Sequence, residues 1–423
     1  MQKLDSVLQE QGWCRSRLEP CVWRLYDSQD NLTGLIGCHV DDVLVAGEGE
    51  YYQERVDLLR KSFPFGSWLS ASDQNVTFCG CEVKQETHFD IVVSQERYSM
   101  GINEIPLSLE RKSSTESPAN TEETKQLRAV LGALSWRATQ TSPWLGASVS
   151  VLQGVQSSPT VADLLTANKL VRTQRALHDV PIRFCSNIEK PILITYTDAS
   201  WACRRDGTSQ GGQISVIADV SVLEGHRSAF SPVAWQSRKL ARVARSSTSA
   251  EVQMASNATD HHEFLKQILL EWFNKRPVLE NSPDQVMKTM PSILILDAKN
   301  LYDALSRIET SGLQLEEKRT AIDVLSIRER TQQTGILVKW VDSDQQLGDG
   351  LSKPNQFDSL LEILRFGSLS IVFDPLFVSA KRKRQQKRQK ASAGVHNDFD
   401  LGSDLPDIKK ENRTDENSVL MSH

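Results

Sequence analysis

The chain has 423 residues, which exceeds the size of one ordinary domain and predicts two or three. It is 39% hydrophobic and 24% charged, so folded cores are expected, and the lack of a run of about eighteen apolar residues excludes a membrane-spanning helix. Its net charge of −5 argues against a uniformly basic nucleic-acid binder, and its seven cysteines, which form no CxxC pair, support neither a disulfide framework nor a zinc site. Because no apolar leader segment opens the sequence, we expect an intracellular protein.

The first segment, residues 1–110, has the pattern of an α+β unit. Two short apolar runs, at 35–40 and 43–46, flank Asp41 and Asp42, which predicts a β-hairpin with an acidic turn. Further elements are predicted as a helix at 50–63 and as strands at 76–83 and 90–94.

Two segments of different character follow. Residues 111–124 are polar and turn-rich, which predicts a linker or surface loop, and residues 125–180 have helical periodicity. We therefore interpret 111–185 as a mainly helical region. Strand and helix patterns alternate over 190–355, which is typical of an α/β domain.

The tail, residues 379–423, is basic at first and then acidic and polar, and its low apolar content predicts disorder. Seven of the ten residues in Lys381–Lys390 are lysine or arginine. Such a run is typical of a nuclear-localisation or nucleic-acid-binding patch, and the alternatives are a cytoplasmic protein and a basic tail with no specific role.

Four acidic residues in the 190–355 segment follow a strand pattern, open a helix pattern or stand in a glycine-rich motif: Asp198, Glu251, Asp297 and Asp349. Hydrolysis of a phosphodiester commonly uses two Mg²⁺ ions about 3.5–4 Å apart, and Mg²⁺ prefers oxygen ligands. Ligands gather at the carboxyl ends of strands in open α/β sheets. The ordered set therefore predicts a magnesium centre.

Each acid also has a simpler interpretation. Glu251 stands three residues after Thr248 and could complete a capping box in the first turn of its helix. Asp198 and Asp297 could cap the helices that follow them, and Asp349 could be a solvated loop residue. The residues taken alone leave both interpretations open.

Longer motifs surround these acids in the order YTDASWA at 196–202, VAWQSRK at 233–239, SSTSAE at 246–251 and QLGDGLSKP at 346–354. In this order they resemble the ribonuclease H domain of copia-type LTR retrotransposon Pol polyproteins. The resemblance implies an α/β fold with a ribonuclease H-like mixed sheet and flanking helices. It also implies endonucleolytic cleavage of the RNA strand of an RNA/DNA hybrid, with Mg²⁺, or Mn²⁺ in its place, held by the four acids.

The amino-terminal half resembles the reverse transcriptase of the same family. The motif HVDDVLVAG at 39–47 is similar to the palm hairpin with its paired aspartates, here Asp41 and Asp42. The resemblance implies that 1–110 is a truncated α+β palm and that 111–185 is a thumb or connection region. In the family the first metal aspartate lies well upstream of this pair, whereas only forty residues precede Asp41. We therefore expect no reverse transcriptase activity from this chain alone.

Four basic residues lead into the helix of Glu251, namely Arg238, Lys239, Arg242 and Arg245. Lysine and arginine position a duplex through its phosphates without reading its sequence, so contact with the hybrid is predicted, and a solvated surface is the alternative. Residues 272–290 resemble an insertion between Glu251 and Asp297.

Two functions are therefore open. The first is an active ribonuclease H that binds an RNA/DNA hybrid and no membrane. The second is a catalytically inactive retroelement remnant that keeps the fold and binds nucleic acid. The sequence defines no oligomeric state.

Overall fold

Three β-sheets organise the chain in a computed structural model that describes residues 2–274, 283–306 and 317–372. The basic run and the tail predicted after residue 379 lie outside the described residues, as does part of the segment at 272–290. No helix in the described part of the chain is both long and apolar enough to cross a bilayer.

The first sheet is antiparallel, in the order β1-β2-β3-β4. The elements of this part are α1 (Gln2–Glu10), β1 (Cys14–Arg15), β2 (Val22–Tyr26), β3 (Leu32–His39), β4 (Asp42–Gly47) and α2 (Glu50–Ser62). Its core holds Trp13, Trp23 and Leu25 together with Leu59 from α2. The predicted hairpin is confirmed, since His39 pairs with Asp42 across the β3–β4 turn.

The second sheet is also antiparallel, in the order β5-β6-β7-β8, and helices separate β7 from β8 along the chain. The elements are β5 (Val76–Phe78), β6 (Cys81–Gln85), β7 (Ile91–Ser94), α3 (Glu96–Gly101), α4 (Leu109–Ser113), α5 (Thr121–Gln140), α6 (Gly146–Gln153), α7 (Val161–Ala176) and β8 (Ile182–Phe184).

Two predictions in this part were wrong in detail. The run at 76–83 is two strands, because Cys79 and Gly80 turn the chain with φ of 49° and 71°. The polar segment at 111–124 is not all loop: α5 already begins at Thr121, where Asn120 and Glu123 form a reciprocal capping box.

The third sheet has six strands in the order β13-β12-β9-β10-β11-β14. Strands β9, β10 and β11 are antiparallel neighbours, whereas β12 and β13 run parallel to β9. The elements are β9 (Pro191–Ser200), β10 (Gln210–Asp219), β11 (Ser228–Lys239), α8 (Ser247–Phe273), α9 (Pro283–Met287), β12 (Ser292–Leu296), α10 (Lys299–Ser306), α11 (Lys318–Thr334), β13 (Ile336–Trp340), α12 (Asp349–Ser352), α13 (Asp358–Phe366) and β14 (Ser368–Leu369). The predicted mixed sheet with flanking helices is confirmed.

Helices cover both faces of this sheet. Alternate residues of a strand point to opposite faces, so Ile293 of β12 faces the core shared with α5, α6 and α7, while Leu294 faces α8 and α11. The first of these cores also contains Leu131 of α5 and Ile194 of β9. The helical segment therefore buries its apolar side chains against the six-stranded sheet.

A buried polar cluster ties the first sheet to the end of α8. The Glu271 carboxylate accepts hydrogen bonds from the Ser16 hydroxyl at 2.6 Å and the Arg17 backbone N–H at 2.8 Å, and it pairs with Arg24 at 3.3 Å. The Tyr26 hydroxyl donates to the Glu271 carbonyl at 3.1 Å. These contacts satisfy carbonyls that the end of a helix leaves unpaired, and they place a cation at the negative end of its dipole.

Candidate metal centre

Strand register brings Asp198 and Asp297 together. In the parallel pair of β9 and β12, Ile295 is the partner of Tyr196. Asp198 and Asp297 each lie two residues further along their own strand direction, so they meet at the same edge of the sheet. Asp198 is only 1% exposed. Since Asp198 lies within β9, it is not the cap of a following helix.

Asp349 reaches the same edge because α12 packs directly on the sheet. The Gln346 side chain fixes the approach by donating to the Thr197 carbonyl at 3.0 Å and accepting from the Gly348 backbone N–H at 3.0 Å. A Cβ at Gly348 would stand 3.0 Å from the Cβ of Asp198, so glycine permits this close approach. Asp349 is thus the first residue of a short helix rather than a solvated loop acid.

Three of the acids lie close enough together to hold one metal ion. One carboxylate oxygen from each of Asp198, Asp297 and Asp349 lies within 4.8 Å of the others. Glu251 is outside this group but close enough to interact electrostatically with Asp198 and Asp297, and it accepts a hydrogen bond from the Ala199 backbone N–H.

The helix of Glu251 begins differently from the prediction. Ser246 caps α8 by accepting from the Ser249 backbone N–H, so Thr248 does not form a capping box with Glu251. Because the helix starts at Ser247, Glu251 opens its second turn instead of lying in the first. This position carries the side chain toward the strand ends and away from the capping role.

Burial and mutual repulsion raise the pKa values of these acids. Burial, followed by the charge of Asp198, raises the pKa of Asp297 to about 6 and that of Asp349 to about 7. The same two causes, with Asp297 added, raise the pKa of Glu251 well above its ordinary value. A bound cation would relieve the repulsion among the charged carboxylates, and its binding would release the protons that they retain.

Two residues that the sequence analysis did not single out contact the acids. The Ser352 hydroxyl donates to Asp198, and the Lys353 amine lies 3.3 Å from Asp198 and 2.6 Å from Asp349. Burial opposes the charged amine, but Asp198 and Asp349 outweigh it and raise the pKa of Lys353. The four-residue spacing of Asp349 and Lys353 was a usable signal for their contact, whereas nothing local indicated the contact with Asp198.

The donor set fits a divalent cation that prefers hard oxygen ligands. The three grouped side chains are all carboxylates, as Mg²⁺ and Mn²⁺ prefer, and rigid elements hold two of them. The Asp297 carboxyl group forms hydrogen bonds with the Ser343 side chain and with its own backbone. The Trp340 indole donates to the backbone carbonyl of Asp297 at 2.8 Å. Such outer contacts orient the ligands of a metal.

The other predicted site residues lie outside this centre. Asp41 and Asp42 stand in the β3–β4 hairpin, and within the described ranges they belong to no group of three or more side chains of metal-binding spacing. Among the four basic residues, Lys239 pairs with Asp206 and Arg242 pairs with Asp323.

The chain has sequence relatives among known proteins. The chain is 25% identical over 330 residues to the retrovirus-related Pol polyprotein from transposon RE1 of Arabidopsis thaliana, which covers 75% of this chain and 20% of the relative. The corresponding protein from transposon RE2 is 25% identical over 332 residues, with the same coverage. The chain is thus homologous to these two transposon Pol polyproteins. It spans about a fifth of the length of these relatives, and no family model matches it.

Solved structures to which the chain is similar include ribonucleases H and a viral reverse transcriptase. LC11-RNase H1 from compost is 13% identical, with a TM-score of 0.23, over 41% of this chain and 99% of that one. The PFV RNase H domain is 15% identical, with a TM-score of 0.23, over 42% and 94%. The foamy viral protease-reverse transcriptase in complex with RNA/DNA hybrid is 10% identical, with a TM-score of 0.24, over 75% and 58%. The fold class rests on strand order and register, not on these scores.

Proposed function

We propose that the chain is a ribonuclease H that cleaves the RNA strand of an RNA/DNA hybrid with a pair of divalent metal ions. The observation that carries the proposal is the group of Asp198, Asp297 and Asp349 at one edge of a mixed sheet, with Glu251 beside it. Bound ions would supply an activated water and stabilise the leaving oxygen. Homology to Pol polyproteins supports the substrate class, because those relatives are retrovirus-related.

The contribution of the protein side chains to the reaction would be to position the metal ions. Asp198 and Asp349 would hold the ions from β9 and α12, and Asp297 would complete the set from the end of β12. Glu251 would add a fourth carboxylate from α8. The RNA strand would be selected through its 2′-hydroxyl groups and the A-like shape of the hybrid, as is general for recognition of RNA helices.

The basic residues before α8 are proposed to hold the hybrid through its phosphates. Arg238 and Arg245 are exposed, whereas Lys239 and Arg242 are engaged with carboxylates. The phosphates of the hybrid would have to displace these carboxylates from Lys239 and Arg242. Arg238 and Arg245 should therefore contribute more to binding of the hybrid. The division into a palm remnant at 1–110, a helical region at 111–185 and a ribonuclease H-like domain at 190–355 belongs to this proposal.

A strand-labelled hybrid tests the proposal directly. We expect Mg²⁺-dependent cleavage of the RNA strand by the wild type and a loss of several orders of magnitude in Asp198→Asn, which removes one charge at nearly constant shape. Asp303→Asn is the matched control, since Asp303 is a half-exposed residue of α10 paired with Lys299. Absence of cleavage by the folded wild type would favour the inactive remnant. Primer extension that Asp41→Asn abolishes would contradict our expectation for the polymerase region.

A further inference from the structure

Lys353 occupies an unusual position for a helix-end lysine. Its amine lies 2.6 Å from the Asp349 carboxylate, 3.3 Å and 3.4 Å from the two carboxylate oxygens of Asp198, and its side chain is 27% exposed. An ordinary ion pair between residues four apart on a helix surface joins two solvated side chains. Here the amine also reaches an acid that comes from a different element and is almost fully buried.

The two carboxylates that Lys353 contacts belong to the group suited to a divalent ion. Asp198 and Asp349 contribute two of the three carboxylates that lie within 4.8 Å of one another. An ammonium and a divalent cation carry charge of the same sign, and their repulsion is strong where water is scarce. Binding of both cations to the same two carboxylates is therefore unfavourable. Lysine is suited to withdraw, because its charge sits on a flexible four-carbon stem.

We propose that Lys353 is a displaceable internal cation, which competes with the divalent ion for Asp198 and Asp349 and thereby sets the metal affinity of the centre. The inference rests on the proposed function, since it requires that these acids bind metal. Without metal, the amine stabilises the clustered acids. When metal binds, the amine must move off both carboxylates, and this displacement weakens binding. Lys353 is a positioning residue in this scheme, because it acts through Asp198 and Asp349.

The test is a Mn²⁺ titration followed by electron paramagnetic resonance of the free ion. In Lys353→Gln we expect the dissociation constant to fall about tenfold, which corresponds to about 1.4 kcal/mol. We also expect the melting temperature of the metal-free chain to fall, and the rise on adding Mn²⁺ to grow. Lys318→Gln is the control, because Lys318 is an exposed lysine at the start of α11 and its loss should change none of these three quantities.

Two further variants keep the test decisive. Lys353→Met retains most of the apolar stem and replaces the glutamine variant if the latter does not fold. Lys353→Arg retains the charge and should leave the dissociation constant within about threefold of the wild type. An unchanged or weaker Mn²⁺ affinity in the folded neutral variants would overturn the proposal while leaving the metal centre intact. If neither the wild type nor the neutral variants bind Mn²⁺, the proposed function fails as well.

Discussion

Asp198 is surrounded by groups of both signs. Its charge raises the pKa values of Asp297 and Asp349, and Lys353 offsets only part of the repulsion. Ser352 donates to the same carboxylate and would remain a partner for an amide. Replacing Asp198 by asparagine should therefore relieve repulsion without leaving the site unpaired.

The pH dependence of stability gives the corresponding prediction. Asp297 and Asp349 have pKa values of about 6 and about 7 in the folded chain, against an ordinary value of 3.8. Between roughly pH 4 and pH 7 the folded chain thus holds more of these protons than the unfolded chain, so this contribution to the free energy of unfolding falls as pH rises. Asp198→Asn should stabilise the metal-free chain more at pH 7 than at pH 4, as measured by urea unfolding.

His262 changes the free energy of unfolding with pH in the opposite direction. Its contribution must cancel when the wild type is compared with Asp198→Asn. Burial lowers its pKa to about 3, so in the folded chain it stays neutral where the unfolded chain binds a proton, and its contribution rises with pH over the same window. It hydrogen bonds to Thr195, away from the acids, and is present in both chains. An equal effect of the asparagine at both pH values would show that Asp198 does not set the pKa values of its neighbours.

At the scale of elements, the contact between α12 and β10 determines where Asp349 lies. A Cβ on Gly212 would stand 2.5 Å from the Leu351 carbonyl carbon and 2.7 Å from the Ser352 backbone nitrogen. Gly212→Ala must push the helix off the sheet, so we expect a loss of about 1–3 kcal/mol in the free energy of unfolding, together with weaker Mn²⁺ binding.

Gly132→Ala is the matched control for this substitution. Gly132 is an exposed residue of α5 whose added Cβ would meet nothing within 4 Å. Alanine favours a helix by about 1 kcal/mol over glycine, so the control should be neutral or stabilising. Unchanged Mn²⁺ affinity in Gly212→Ala would mean that α12 does not position the ligand.

The elements that carry the acids could be predicted because their patterns are local. Alternating apolar residues in the sequence mark β9, a short apolar run marks β12, and helical spacing marks α8. The turn at Cys79 was missed, since a left-handed residue inside an apolar run leaves no periodic signal. The start of α8 was misplaced because several hydroxyl residues in SSTS compete for the cap. Lys353 and Asp198 are 155 residues apart, and only packing reveals their contact.

At the scale of the whole molecule, Glu271 and Arg24 join the first sheet to α8. Their side chains are 4% and 5% exposed, so Glu271→Gln would leave the Arg24 charge buried without its partner. We expect the free energy of unfolding to fall by about 3–5 kcal/mol. Urea denaturation monitored by tryptophan fluorescence would measure the change.

A half-exposed ion pair provides the control for Glu271. Glu104 pairs with Arg172 at 2.5 Å, with side chains 35% and 58% exposed, so Glu104→Gln should cost less than about 1 kcal/mol. The double variant Arg24→Met/Glu271→Leu should regain much of the loss, because it removes both buried charges. A loss in Glu271→Gln no larger than that of the control would show that the buried pair does not hold the sheet to the helix.

Helical phase constrains the evolution of α8. Glu251 near its start faces the clustered acids, and Glu271 near its end faces Ser16 and Arg24. An α-helix turns about 100° per residue, so deleting or inserting one residue between these two positions would rotate one end away from its partners while the other stayed in place. Both ends can keep their contacts only if the interval has a fixed length. Changes in chain length are therefore expected to accumulate outside it, and the segment at 272–290, which resembles an insertion, begins at the residue after Glu271.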